Sequence, residues 1–256
     1  ACTNPSAPTP SVEAILHAFM PSRFVDHTHA DAVVAISNTP DGEAILRELY
    51  GENVLVLPYV MPGFVLAQQV YAATRDIDWR QLDGIILLHH GVFTFDEDAR
   101  ASYENMVAIV DRAEQYLQRR QIWSCARTGA YSPAPADFLR LATLRKQAST
   151  LYGRALLSRW DLSEAAVGYS SIEYIADVAT RGPVTPDHTL HTKRTAMVIG
   201  DDISAAIENF SGQYRNYFAA HDNGTLTCLD PAPRVGVWQH RGMLYFAPNA
   251  KRLQVV

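Results

Sequence analysis

The sequence has little of what most readily gives a function away. Cysteine is scarce: Cys2, Cys125 and Cys228 are the only three in 256 residues, and no CxxC pair exists. An odd and widely spaced set argues against a disulfide framework and a thiolate zinc site, and leads us to expect a reducing, cytoplasmic compartment. Long apolar runs are also missing. The most apolar stretch, 54–67, is broken by Pro58, Pro62 and Gly63. It falls short of the ~20 residues of a membrane span. The first ten residues are rich in Pro, Ser and Thr, without the basic start and apolar block of a signal peptide. Basic charge is not in excess: 22 Lys and Arg face 27 Asp and Glu, for a net charge of −5. That balance disfavours nucleic acid as a partner. There is no GxGxxG, no Walker A loop, no GxSxG elbow and no HExxH. A nucleotide loop, a serine nucleophile elbow and a zincin helix are therefore not indicated.

What remains is an ordinary globular composition, 48% hydrophobic. At about 150 residues per domain, the length suits one or two domains. No repeat is visible at periods of about 20–50 residues. The first half alternates strand and helix patterns. Ser11 is a candidate N-cap with Glu13 in the first turn, and Ile15, Leu16 and Phe19 follow at helical spacing. Residues 24–29 suit a strand, 31–36 and 41–50 helices, 53–57 a strand and 68–73 a helix. Ile85, Ile86, Leu87 and Leu88 form a buried strand by their unbroken apolar run. The clearest helix is 99–120, where Tyr103, Met106, Val107, Val110, Ala113 and Leu117 make one stripe.

Ser132 to Pro135 forms a Pro-rich break, which sets expected domains at 1–130 and 131–256. Beyond it, 136–159 reads as helix with a break near Gly153, 197–199 as strand and 201–220 as an amphipathic helix. A closing hairpin surrounds Arg241 and Gly242. The mixture is α/β without regular βαβ spacing.

Three of the nine histidines have an informative arrangement. His27 and His29 lie one residue apart on a predicted strand, so both rings point to one face at roughly 6.5–7 Å along the chain. Two imidazoles so placed can share a metal at bonds of ~2.1 Å. His90 ends the 85–88 strand, with Gly91 behind it to let the chain turn. Three neutral imidazoles with an open position describe a catalytic zinc site rather than a structural one. Each piece also has a plainer reading: a hydrogen-bonded strand histidine, or for Glu13 a solvated carboxylate at a helix start. The other histidines, among them His17, His188, His191, His221 and His240, show no metal spacing. His188 and His191 fall in a Pro-containing loop.

Taken in order, these pieces resemble the class II aldolase/adducin family. The matching residues are Pro10-Ser11-Val12-Glu13 with His17, Asp26-His27-Thr28-His29-Ala30-Asp31, Leu57-Pro58-Tyr59-Val60-Met61-Pro62-Gly63, and Gly84-Ile85-Ile86-Leu87-Leu88-His89-His90-Gly91. The family places a Glu ahead of an HxH and a His-Gly well after it; here His29 and His90 are 61 residues apart. Arg181-Gly182-Pro183-Val184-Thr185-Pro186-Asp187-His188-Thr189, with Thr192-Lys193, resembles the branch in which an aldolase module is fused to a short-chain dehydrogenase and is associated with rhamnulose 1-phosphate.

The resemblance implies a three-layer α/β/α sandwich around a mostly antiparallel sheet, lacking its N-terminal strands here, with 131–256 extending the same module. It implies Zn2+ on His27, His29 and His90 and an acid/base carboxylate at Glu13. The implied reaction is reversible cleavage of a phosphorylated ketose, such as rhamnulose 1-phosphate, to dihydroxyacetone phosphate and an aldehyde, in a homo-oligomer. A sugar-phosphate 4-epimerase, a non-catalytic adducin-like module and an inactive fragment are the alternatives. Family members carry a phosphate-gripping segment ahead of the Glu, and Glu13 stands near the start of this sequence. The expectation is therefore a window cut from a longer enzyme.

Overall fold

A computed structural model describes residues 4, 6–122 and 128–256; Cys2 and Cys125 lie outside them. The chain divides into two compact units, Ala1–Ser124 and Cys125–Val256.

The first unit runs α1 (Ala14–Phe19), β1 (Phe24–Thr28), α2 (Asp31–Ser37), α3 (Gly42–Tyr50), β2 (Val54–Leu57), α4 (Phe64–Thr74), β3 (Gly84–Leu87), β4 (Gly91–Asp96) and α5 (Ala99–Arg119). Its sheet has the order β1-β4-β3-β2. β4 is antiparallel to both neighbours, and β2 and β3 are parallel. The short apolar strands β2 and β3 are buried on both faces, as their unbroken Val, Leu and Ile runs require. One face packs Val56, Ile86 and Val92 against Ile36, Leu46, Met106 and Ile109 of α2, α3 and α5. The other packs Leu57, Ile85, Leu87 and Phe93 against Leu16, Leu66 and Val70 of α1 and α4. Three layers result, each large core side chain contributing about 1.5–3 kcal/mol by burial.

The second unit has a sheet of its own and adds no strand to the first. It runs α6 (Pro135–Tyr152), β5 (Leu157–Asp161), α7 (Glu164–Ser170), α8 (Ile175–Ala179), α9 (Pro186–Thr192), β6 (Met197–Ile199), α10 (Ile203–His221), β7 (Val235–Trp238), β8 (Gly242–Ala247) and α11 (Ala250–Val255). The sheet order is β5-β8-β7-β6. Its larger core joins Leu144, Ile199, Phe210, Trp238, Leu244 and Phe246. No helix among the described residues is long and apolar enough to cross a membrane.

Several elements differ from the sequence reading. The break expected near Gly153 is present, since Gly153 takes the left-handed conformation at φ 84° and caps α6 after Tyr152, but no helix follows it. Residues 157–161 then form β5, not helix. The loop around His188 and His191 is the helix α9, with proline at its start. Strand β4 was not foreseen, although it pairs with two neighbours.

The β3–β4 turn brings the backbone very close to β1. A Cβ on Gly91 would lie 2.5 Å from the Thr28 carbonyl oxygen and 2.8 Å from the His29 ring. Gly91→Ala is thus expected to cost about 2 kcal/mol by overpacking. A thermal melt of the metal-free protein checks this, and an unchanged Tm would show that the turn has slack.

Candidate metal centre

Three elements converge at the end of the first sheet. Glu13 stands at the N-cap of α1, the place expected for Ser11 two residues earlier, and Ser11 Oγ accepts a hydrogen bond from its N–H. His27 lies on β1 opposite Phe93 of β4, and His29 follows two residues on. His90 ends the β3–β4 turn, where His89 absorbs the reversal at φ 58° and bonds away to Asn38. The turn is held because the His89 N–H donates to Ser37 Oγ, 3.0 Å away. All four predicted site residues therefore meet. One ligand atom from each lies within 4.8 Å of the others.

The geometry within the group is tight. Glu13 Oε1 is 2.8 Å from His90 Nε2, and Glu13 Oε2 is 3.5 Å from His27 Nε2. His27 Nε2 and His29 Nε2 are 2.9 Å apart. His27 Nδ1 is 2.8 Å from the Val92 carbonyl oxygen, which can only accept. That contact fixes the tautomer: Nδ1 carries the proton, and the Nε2 lone pair faces the group, as a metal-ligating imidazole requires. The His27 ring also stacks on Phe93 at 3.9 Å. Phe93 and the Val92 carbonyl were missed by the sequence reading, because both belong to the unforeseen β4. His17 stands behind, 6.4 Å from the His27 ring, while His188, His191 and His240 belong to the second unit.

The electrostatics suit a cation. His90 is 1% exposed. Glu13 Oε1 and His90 Nδ1 are buried without a hydrogen-bond partner despite the short ion-pair distance. Orphaned atoms of this kind mark a place for an ion or ordered water. Burial pushes the His27 imidazole down to about 4. The His90 contact, opposed by burial, holds the Glu13 carboxyl below its usual range. At neutral pH the group holds an ionised Glu13 carboxylate beside a neutral His27 ring, with no Lys or Arg among its members. Three nitrogen donors and one oxygen donor fit a divalent metal of the zinc type. A groove of about 500 Å3 opens beside it, lined by Asp26, His27, Thr28, Ala30, Tyr103 and Met106 among others.

These features define an α/β domain with a His3Glu cradle at the edge of its sheet. The Class II Aldolase and Adducin N-terminal domain matches residues 2–117, and the class II aldolase second domain matches 136–256. The chain belongs to the class II aldolase/adducin family. It is 28% identical over 249 residues to a Bacillus subtilis protein named as the uncharacterized oxidoreductase YuxG, covering 89% of this chain and 35% of that protein. The chain thus spans about a third of that relative's length. The N-terminal class II aldolase domain of a conserved Thermoplasma acidophilum protein is 44% identical, with 44% of this chain and 51% of that one covered at a TM-score of 0.40. An aldolase II superfamily protein from Pseudomonas syringae is 15% identical, with 52% of each chain covered at a TM-score of 0.34. At those scores the superpositions add nothing to the family assignment.

The metal-free protein should lose stability on acidification through this group. The folded His27 value of about 4 lies below its ordinary 6.5. Between the two values the unfolded chain binds more protons, so stability falls as pH falls. Glu13, also lowered, acts in the same direction. The Tm of metal-free protein is expected to drop from pH 6.5 towards 4, and His27→Gln should flatten that slope. A slope unchanged by the substitution would contradict the assignment.

Proposed function

We propose that this chain carries the metal-dependent carbon–carbon lyase site of its family and cleaves a phosphorylated ketose reversibly to dihydroxyacetone phosphate and an aldehyde. The observation that carries the reading is the convergence of Glu13, His27, His29 and His90 on one point. His27, His29 and His90 would hold a divalent ion, zinc by its donor set. When bound, that ion supplies Lewis-acid stabilisation of negative charge developing on the substrate's oxygens.

The chain's own residues do the rest. The Val92 carbonyl orients His27, so its lone pair faces inward without reorganisation. Phe93 under that ring keeps water from one side of it. Glu13 is ionised at neutral pH and sits against His90 and His27, so its carboxylate can take a proton from a bound hydroxyl and return it to carbon. A carboxylate kept low by its neighbours is a weak base in isolation. It becomes effective because it is fixed beside the reacting atoms. Rhamnulose 1-phosphate is the substrate suggested by the 181–193 segment.

Two measurements test this. Dihydroxyacetone phosphate released from ketose 1-phosphates, read through a coupled glycerol-phosphate dehydrogenase assay, should appear in the metal-loaded protein. Formation of an epimer without cleavage would move the reading to the 4-epimerase. Glu13→Gln should keep its metal and lose about 10²–10⁴-fold in kcat, whereas a full rate in that variant would remove Glu13 from the chemistry.

A further inference from the structure

The second unit repeats the first. The two sheets have the same strand order, the same pair of antiparallel contacts and the same parallel pair. Correspondence extends to single atoms. β1 and α2 map onto β5 and α7 at a constant shift of 133 residues. Ser37 Oγ donates to the Val34 carbonyl, and Ser170 Oγ donates to the Val167 carbonyl. The hairpins map at a shift of 151 residues. His89 and His240 take φ 58° and 61° at the same place in the turn. A Cβ on Gly91 would strike the Thr28 carbonyl oxygen, and one on Gly242 would strike that of Asp161; Thr28 and Asp161 are the last residues of β1 and β5. The Leu88 N–H donates to Leu57 O, and the Gln239 N–H to Ile199 O, both at 2.9 Å. Asp98 and Asn249 cap the helices that follow.

This register gives each of the three histidine positions a counterpart. His27 becomes Trp160, His29 becomes Leu162 and His90 becomes Arg241. An acid also stands beside it, matched by contact and not by register: Asp137 in the first turn of α6 lies 3.5 Å from Arg241, as Glu13 lies 2.8 Å from His90. The second group is complete without an ion. Tyr131 donates to Asp137 at 2.6 Å, Arg241 donates to Tyr131 at 3.1 Å, and Trp160 Nε1 donates to the Arg241 carbonyl at 2.7 Å. The first group leaves Glu13 Oε1 and His90 Nδ1 unpartnered, whereas none of the atoms of Asp137, Trp160 or Arg241 is left so. A buried carboxylate needs a cation or good donors beside it. Arginine provides a permanent one.

We infer that the second unit is a copy of the metal domain in which the Arg241 guanidinium stands where the first unit would hold a metal ion. The chain then has one metal position and one latent position that imidazoles can reopen. The inference rests on the metal reading above for the first unit only.

Bound Co2+ per chain, with its visible spectrum, tests it in the full chain. Wild type should hold one equivalent, and His27→Ala with His29→Ala should hold none. Adding Trp160→His, Leu162→His and Arg241→His to that metal-free variant should restore one equivalent with a tetrahedral-type absorption band. Two equivalents in wild type would overturn the inference, and so would a folded five-site variant that binds none. No metal in wild type would defeat the proposed function instead, leaving the restored equivalent to decide this one. Should the five-site variant fail to fold, thermal melts decide: Arg241→Met alone should lower Tm, and Asp137→Asn added to it should recover part of the loss. Losses that simply add would contradict the replacement.

Discussion

One carboxylate and three imidazoles meet in the first unit with no Lys or Arg among them, and the unit is arranged around that meeting. Glu13 reaches the group from a helix cap, His27 from an edge strand, His29 from the residue just past that strand, and His90 from a hairpin turn. Each arrives by a different backbone device, so no single element could be moved without breaking the convergence. The α2 end supplies Ser37 to pin the turn, and Gly91 lets that turn pass against Thr28. Core packing on both faces of the sheet holds these devices in place, and so the hydrophobic pattern bears on the chemistry indirectly.

Much of this was legible in the residues. The period of two between His27 and His29 announces a shared face, and an apolar run ending in His-Gly announces a histidine at a strand end. Glu13 gained meaning only in combination with them. β4 was hidden because Thr94 interrupts its apolar pattern. That side chain is buried and satisfied by donating to Ser102 O, a tertiary contact that no local pattern displays. β5 was hidden for the opposite reason: Leu-Ser-Arg-Trp-Asp is half-polar, so it reads as the tail of the preceding helix until Gly153 stops that helix.

The duplication was invisible for a further reason. The strand–helix half and the hairpin half are shifted by different amounts, because the segments between them differ in length. Few identities survive beyond Val34 and Ser37 against Val167 and Ser170, and Gly91 against Gly242. What survives is backbone constraint: a serine closing the helix, a left-handed histidine in the turn, and a glycine against a strand-end carbonyl. Ligands turn over more freely than these, since Arg241 answers the same buried acid that a metal would answer.

The central claim is that the first unit's four residues cradle one divalent ion. The most direct measurement is anomalous scattering at the zinc edge from crystals of the zinc-loaded chain. The account predicts a single strong peak at the His27, His29 and His90 ring nitrogens, at bonds of ~2.1 Å, and no peak beside Arg241. Absence of density at the three histidines in fully loaded protein, or a peak at Arg241, would contradict it.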